Sequence, residues 1–151
     1  MTADQFPFAV AAVPYRAAWV PADGIEQVGA GVEFDAVRVK GLLGHEVACA
    51  LDVATSHRVG PVVLEDAEGD DTAAYLYYLV ARGEGIARKW APGIRVFGFP
   101  DQLIRVPALW GNTFPLRWRC PPTRENEFVD AELLHRVLCK ITTWSPHSSD
   151  G

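Results

Sequence analysis

The sequence predicts an α+β domain, a mostly antiparallel or mixed sheet with helices packed on one face. Short stretches rich in β-branched and aromatic residues recur at Val32–Val39, Val62–Leu64, Ala73–Val80, Ile94–Phe97, Leu103–Val106 and Leu116–Arg119. Apolar residues at helical spacing occur in two places only, after Gly41 and after Asp130, with most of those strands clustered between them. A chain of 151 residues has room for one domain of ordinary size, placed here over residues 1–144, with a polar tail at 145–151.

Taken in order, the apolar opening Phe8–Val20 is interrupted by Pro14 and flanked by Pro7 and Pro21, the pattern of a short strand or two at a sheet edge. Gly24, Gly29 and Gly31 then read as punctuation in a linker before the strand VEFDAVRV at 32–39. In the helix after Gly41, Leu43, Val47, Ala50, Leu51 and Ala54 form one stripe, which stops at the turn signals Ser56–Gly60. Gly60–Pro61 opens the next strand. The acidic run EDAEGDD at 65–71 is read as a solvated turn, because burying so many carboxylates together costs far too much. AAYLYYLV at 73–80 is the clearest strand. Around Trp90, Gly83, Gly85, Pro92 and Gly93 bracket a short helical or irregular piece. The strands at 94–97 and 103–106 are joined by the turn Gly98–Phe99–Pro100–Asp101. Asp130 suits an N-cap, Glu132 suits the first turn, and Leu134, Val137, Leu138 and Ile141 make the buried stripe of the last helix.

Apolar residues make up 49% of the chain and charged residues 22%, the balance of a chain that buries a core. No apolar run approaches the roughly 20 residues of a membrane span. The start MTADQFPFAVAAVPYR lacks the basic opening of a secretory leader. Cys49, Cys120 and Cys139 cannot all pair and show no C-x-x-C spacing, so reduced thiols and a cytoplasmic setting are expected. The net charge of −5 argues against sequence-blind DNA binding by the whole surface. That charge is uneven: residues 1–81 hold 4 basic and 12 acidic residues, residues 82–140 hold 10 and 6. Two faces of opposite sign and a solvated mixture both fit this asymmetry.

Familiar catalytic motifs are missing. Gly29–Ala30–Gly31 lacks the lysine of a phosphate-binding loop and is a turn; no Gly-x-Ser-x-Gly elbow occurs. His45/Cys49 and His135/Cys139 each place two metal-ligating side chains on one helical face, but His45 and Cys49 point away from their helix's apolar stripe. They are read as unrelated boundary residues, and no metal or cofactor is expected. The 65–71 turn is too short for a calcium loop and lacks its closing glutamate. Trp90, Arg95, Phe97, Arg105, Trp110, Arg117, Trp118 and Arg119 mix flat rings with guanidinium groups. Single-stranded nucleic acid and nucleotides are bound with such groups, through stacking and phosphate pairing. Core tryptophans beside arginines on a sheet edge give the same mixture.

The segments FDAVRVK (34–40), GPVVLE (60–65), YLYYLV (75–80), APGIRVFG (91–98), LIRVPAL (103–109) and LRWRCPP (116–122) follow one another in a telling order. From Val32 to about Ile141 the chain resembles a short, degenerate bifunctional DNA primase/polymerase domain of the archaeo-eukaryotic primase superfamily, of the compact kind common in actinobacteria. The resemblance implies an RRM-like, primase-like sheet. In that family, carboxylates hold divalent metals for phosphoryl transfer, and a histidine meets the incoming nucleotide's phosphates. On this chain the paired aspartates fall on Arg38 and Lys40, the histidine on Tyr75 and the third carboxylate on Arg95. Cations at those positions would repel Mg²⁺, so the resemblance implies a chain without polymerase activity. Asp35 lies three residues from Arg38 and, by strand alternation, on the opposite face.

The function expected is noncatalytic binding or regulation through a basic cleft that accepts a nucleotide, a nucleic-acid phosphate or an acidic partner. The anion-binding candidates are Arg38, Lys40, Tyr75, Arg95, Arg105, Arg117 and Arg119; Trp90, Trp110 and Trp118 are the candidates for stacking or partner contact. Internal ion pairing of these arginines with Asp35 or the 65–71 turn is the competing expectation. A protein-binding or accessory role instead predicts an exposed apolar patch around Trp110, Phe114 or Trp144. An enzyme of an unrelated class predicts a pocket that gathers His57 or His135 with a carboxylate.

Overall fold

A computed structural model describes residues 15–67 and 73–146. Strand β1 (Ile25–Gly29) is followed by β2 (Phe34–Lys40), helix α1 (Gly41–Ala54), β3 (Val62–Glu65), β4 (Tyr75–Ala81), β5 (Arg95–Phe97), β6 (Leu103–Pro107), β7 (Leu116–Cys120) and helix α2 (Ala131–Thr142). Five strands form an antiparallel sheet in the order β5-β2-β4-β3-β7, while β1 and β6 pair with each other as a separate antiparallel ribbon. One isolated parallel bridge, Val80 to Val129, leads the chain into α2. The fold is α+β. β2, α1 and β3 make a split β-α-β unit with β4 between the two strands. The second helix follows the completed sheet. Among the described residues, no helix is long and apolar enough to cross a membrane.

Alternation along the strands produces two cores. Val37, Val39, Leu64, Leu76, Tyr78 and Val80 face the helices and pack on Val47, Leu51, Leu134 and Leu138. Phe34, Ala36, Val63, Leu79 and Phe97 face the other way, against Ile104 and Val106 of the ribbon and Trp19 of the entering chain. Both helices lie on one face, as expected, and the ribbon covers much of the other. The expected stripe of α1 is rotated: Gly41, Gly44, Val47, Ala48 and Leu51 are buried, whereas Leu43 and Ala50 are only partly so and Ala54 is exposed. Gly44 is the reason. A Cβ there would sit 2.9 Å from a Leu76 methyl and 3.0 Å from the Val39 carbonyl oxygen, so the helix lies on the sheet through its glycine backbone. Tyr78 donates its hydroxyl to the Gly44 carbonyl at 2.6 Å, and burial pushes that phenol upward. In α2, the Asp130 side chain caps the Leu133 N–H at 3.1 Å.

Two expectations need correction. The part of Phe8–Val20 before residue 15 lies outside the described residues, and Tyr15–Val20 is a turn, not a strand. The Arg16 guanidinium donates to the Val20 carbonyl at 2.6 Å and so closes it, while Trp19 packs edge-on against Phe34 and stacks on Phe128. The stretch read as a linker holds β1, whose exposed residues carry no hydrophobic alternation. The expected turn after β5 is present, and it leads β6 away from the five-stranded sheet. Gln102 Oε1 accepts from the N–H groups of Gly98 and Phe99, and Gly31, at φ +77°, packs against the Gly98 carbonyl, which directs β6 to β1. The piece around Trp90 is irregular, a series of turns.

Asp35 anchors those turns. It is fully buried, and its Oδ2 accepts from the N–H groups of Gly85 at 2.9 Å and Ile86 at 3.1 Å. Replacing it with alanine would strand two donors in the interior. Asp35→Ala is therefore expected to lower the unfolding free energy by about 2 kcal/mol or more, measured by urea denaturation, and to speed amide exchange at Gly85 and Ile86. Asp35→Asn keeps an acceptor and loses less.

Candidate anion-binding face

Residues 34, 36, 38 and 40 of β2 point away from the helices, and the register carries that face across the sheet. Arg38 lies opposite Tyr77 on β4 and opposite Arg95 on β5, while Lys40 lies opposite Tyr75. The side chains exploit this. The Arg38 guanidinium sits 4.1 Å from the centre of the Tyr75 ring and 5.7 Å from that of Phe97; Arg95 sits 4.5 Å from the Phe97 ring. Tyr77 fills the space between, 6.5 Å from Tyr75 and 6.1 Å from Phe97. The result is an aromatic floor with two guanidinium groups laid over it.

The ribbon crosses this floor and makes a cleft of about 170 Å³, lined by Arg38, Arg95, Arg105, Tyr77 and Glu65 with apolar walls from Leu103, Ile104 and Leu116. Glu65 is its carboxylate. Oε1 accepts from the Tyr77 hydroxyl at 2.8 Å, and Oε2 accepts from Arg105 at 2.8 Å. Burial, followed by the bond to Glu65, pushes the Tyr77 phenol up to about 12. The nearby Arg38 works against this shift without cancelling it. Tyr77 therefore remains a neutral donor throughout the physiological range.

Among the described residues, neither Arg38 nor Arg95 has a carboxylate within ion-pair distance. Arg105 pairs with Glu65 and Arg117 with Asp66 at 3.3 Å, so Glu65, at the end of β3, and Asp66 engage part of the basic half, as the competing expectation held; residues 68–71 of the expected acidic turn lie outside the described residues. Asp35 pairs with neither Arg38 nor Arg95, since it faces the other side of the sheet and holds backbone N–H groups.

The remaining candidates are dispersed. Arg117 lies on β7, at the far edge of the sheet, and pairs as described. Arg119 borders a different cleft of about 500 Å³, together with His57, Arg58, Cys120, Glu125 and Asn126, so a histidine and a carboxylate do line one cleft, the feature expected of an enzyme of an unrelated class. There Asn126 donates to the Arg58 carbonyl, and burial raises the Cys120 thiol. Trp90 is a packing residue: its indole N–H donates to Gly85 at 2.8 Å and its ring meets His135 edge-on. Trp118 is another, donating to the Pro107 carbonyl at 2.9 Å. Trp110 and Phe114 are exposed and Trp144 is half-buried.

His57 Nδ1 lies 2.7 Å from Asp52 Oδ2, where the His57 N–H also returns to the Asp52 carbonyl and ends α1. Of the two His–Cys pairs, His135 Nε2 lies 2.8 Å from the Lys89 carbonyl oxygen, with Cys139 Sγ 3.8 Å from Nδ1, and Cys49 is exposed. Among the described residues, no three His, Cys, Asp or Glu side chains gather as a metal would require.

Sequence reasoning missed Tyr77 and Glu65 as members of the site. Alternation offered a signal for the first, because positions 75 and 77 share a face. The chain matches no family model, no curated protein and no solved structure in the comparisons made.

Tyr77 offers a test by pH. Its phenol ionises near 10 in the unfolded chain and near 12 in the folded one, so its contribution is complete below pH 10 and is lost as pH rises through 12. Tyr78 adds to the same loss. Tyr77→Phe is expected to make stability fall less steeply between pH 10 and 12, followed by urea unfolding across that range. An unchanged slope would place the Tyr77 hydroxyl in an ordinary environment.

Proposed function

We propose that the chain is a noncatalytic binding protein whose sheet face, around Arg38 and Arg95, takes a phosphate of single-stranded nucleic acid. The observation that carries this is the Arg38–Arg95 pair itself. Like charges directly opposite one another on adjacent strands repel, and no carboxylate among the described residues separates these two. An anion seated between them turns that repulsion into two charge-assisted contacts.

The cleft's size narrows the ligand. At about 170 Å³ it holds roughly the volume of five or six waters, well short of the 300 Å³ or more usual for enclosed small-molecule sites. A phosphodiester with its bases left outside fits better than a buried nucleotide. The resemblance to primase/polymerase domains supports the proposal in one respect. The four positions that carry metal and phosphate chemistry in that family correspond to Arg38, Lys40, Tyr75 and Arg95, all on this face. Their charge favours an anion directly and disfavours Mg²⁺.

Titration of single-stranded DNA, ATP and GTP at two salt concentrations, with and without Mg²⁺, is the test. Single-stranded DNA is expected to bind without Mg²⁺ and to weaken with salt. Arg38→Ala and Arg95→Ala are each expected to weaken it by about tenfold, the loss of one charge-assisted contact. Flat titrations in every condition would remove the proposal, and Mg²⁺-dependent nucleotide turnover would replace it. The exposed side chains of Trp110 (60%) and Phe114 (65%) favour a protein partner as the second reading. Binding of a partner that Trp110→Ala abolishes and Arg38→Ala leaves intact would establish that reading.

A further inference from the structure

We infer that Glu65 is a built-in competitor for the anion, holding Arg105 in reserve at the mouth of the cleft. This rests on the proposed anion-binding role of that face and adds its regulation.

Arg105 belongs to β6 of the ribbon, whereas Glu65 ends β3 and Tyr77 lies on β4 of the five-stranded sheet. The chain of contacts from Arg105 through Glu65 to Tyr77, each 2.8 Å, is therefore a clasp between the two sheets across the cleft. The two ends of the clasp differ. Tyr77 is half-buried and stays a neutral donor, so its bond fixes one carboxylate oxygen from below. Arg105 is on the rim with its side chain 40% exposed, on a long stem that can turn between partners. Exposed ion pairs of this sort are weak, so a ligand phosphate is able to take the guanidinium from Glu65.

A carboxylate in a cleft that recruits anions is otherwise a liability, since it cancels one of three arginine charges and repels the ligand. As a competitor it has a definite effect. The resting cleft presents Arg38 and Arg95 alone, and Arg105 joins only when a ligand offers more than Glu65 does. A lone carboxylate or a single monoanion gains little by the exchange. A run of phosphates, able to occupy Arg38, Arg95 and Arg105 together, gains most.

Glu65→Gln tests this, because glutamine keeps a carbonyl acceptor for Tyr77 and loses the charge that holds Arg105. The probe is a short oligothymidylate, titrated over a series of salt concentrations against the wild type, Glu65→Gln, Arg38→Ala and the double variant Glu65→Gln/Arg105→Ala. Each protein is first checked for an unchanged melting transition. Glu65→Gln is expected to tighten binding by about threefold, the scale of an exposed ion pair. It should also steepen the salt dependence by about 0.7 in the log–log slope, one added phosphate contact on a single strand. Adding Arg105→Ala should remove that steepening. Weaker or unchanged binding by Glu65→Gln, while Arg38→Ala still loses affinity, overturns the role of Glu65 and leaves the anion face standing. Absence of Arg38-dependent binding in both wild type and Glu65→Gln overturns both.

Discussion

The register of β2 is the constraint on which the rest depends. This strand lies between β4 and β5 and is packed on both faces, so its alternation admits a single solution. Asp35, Val37 and Val39 turn toward the helices, and Phe34, Ala36 and Arg38 toward the ribbon. A slip of one residue would push Arg38 among Leu51 and Tyr78 and bring Val37 out, burying a charge without a partner. The hydrophobic core and the cationic face are thus two consequences of one pairing. Because β4 and β5 follow the same register, Tyr75, Tyr77, Arg95 and Phe97 are carried onto the face that Arg38 defines.

Most of the elements could be read from the sequence, because six of the seven strands and both helices carry their apolar pattern locally. Gly60–Pro61 before β3, Asp130 before α2 and the alternation in β4 are all signals of that kind. β1 carries none: its residues are largely exposed, and it exists only because β6 pairs with it. The partner of β5 was illegible for a related reason, since the choice between β2 and β6 is made by the packing of Gly31 on Gly98 and by the Gln102 side chain. Arg38, Lys40, Tyr75 and Arg95 were singled out through a resemblance, and the register sets them on one face. Trp90 and Trp118 each spend the indole N–H on a backbone carbonyl, at Gly85 and Pro107, a use that the sequence does not display. Glu65 was read only as one acid among several in an acidic turn, not as a member of the cleft.

The uneven charge of the two halves of the chain resolves in the same terms. An acidic first half and a basic second half need not make two faces, and here they partly interlock. Glu65 and Asp66 take up Arg105 and Arg117, which come from the second half. Arg38 is one of the four cations within the acidic half, and it takes no part in those pairs. Its nearest carboxylate in sequence is Asp35, but an odd separation of three along a strand puts the two on opposite faces. Asp35 is spent on the N–H groups of Gly85 and Ile86. Strand geometry therefore leaves Arg38 without its sequence neighbour's charge, and the pairing with β5 adds Arg95 beside it.

The aromatic floor makes such a pair tolerable. A guanidinium over Tyr75 or Phe97 replaces part of its hydration with the negative face of a ring. The rings also narrow the positions open to the two cations. A lysine pair would gain less from the same floor, because an ammonium is a more strongly hydrated point charge than a planar fork. It is consistent with this that the two side chains meeting across β2 and β5 are both arginine, while the lysine of the group, Lys40, sits at the exposed end of the strand where water can solvate it. The face thus combines two cations over rings with one freely hydrated cation at its border.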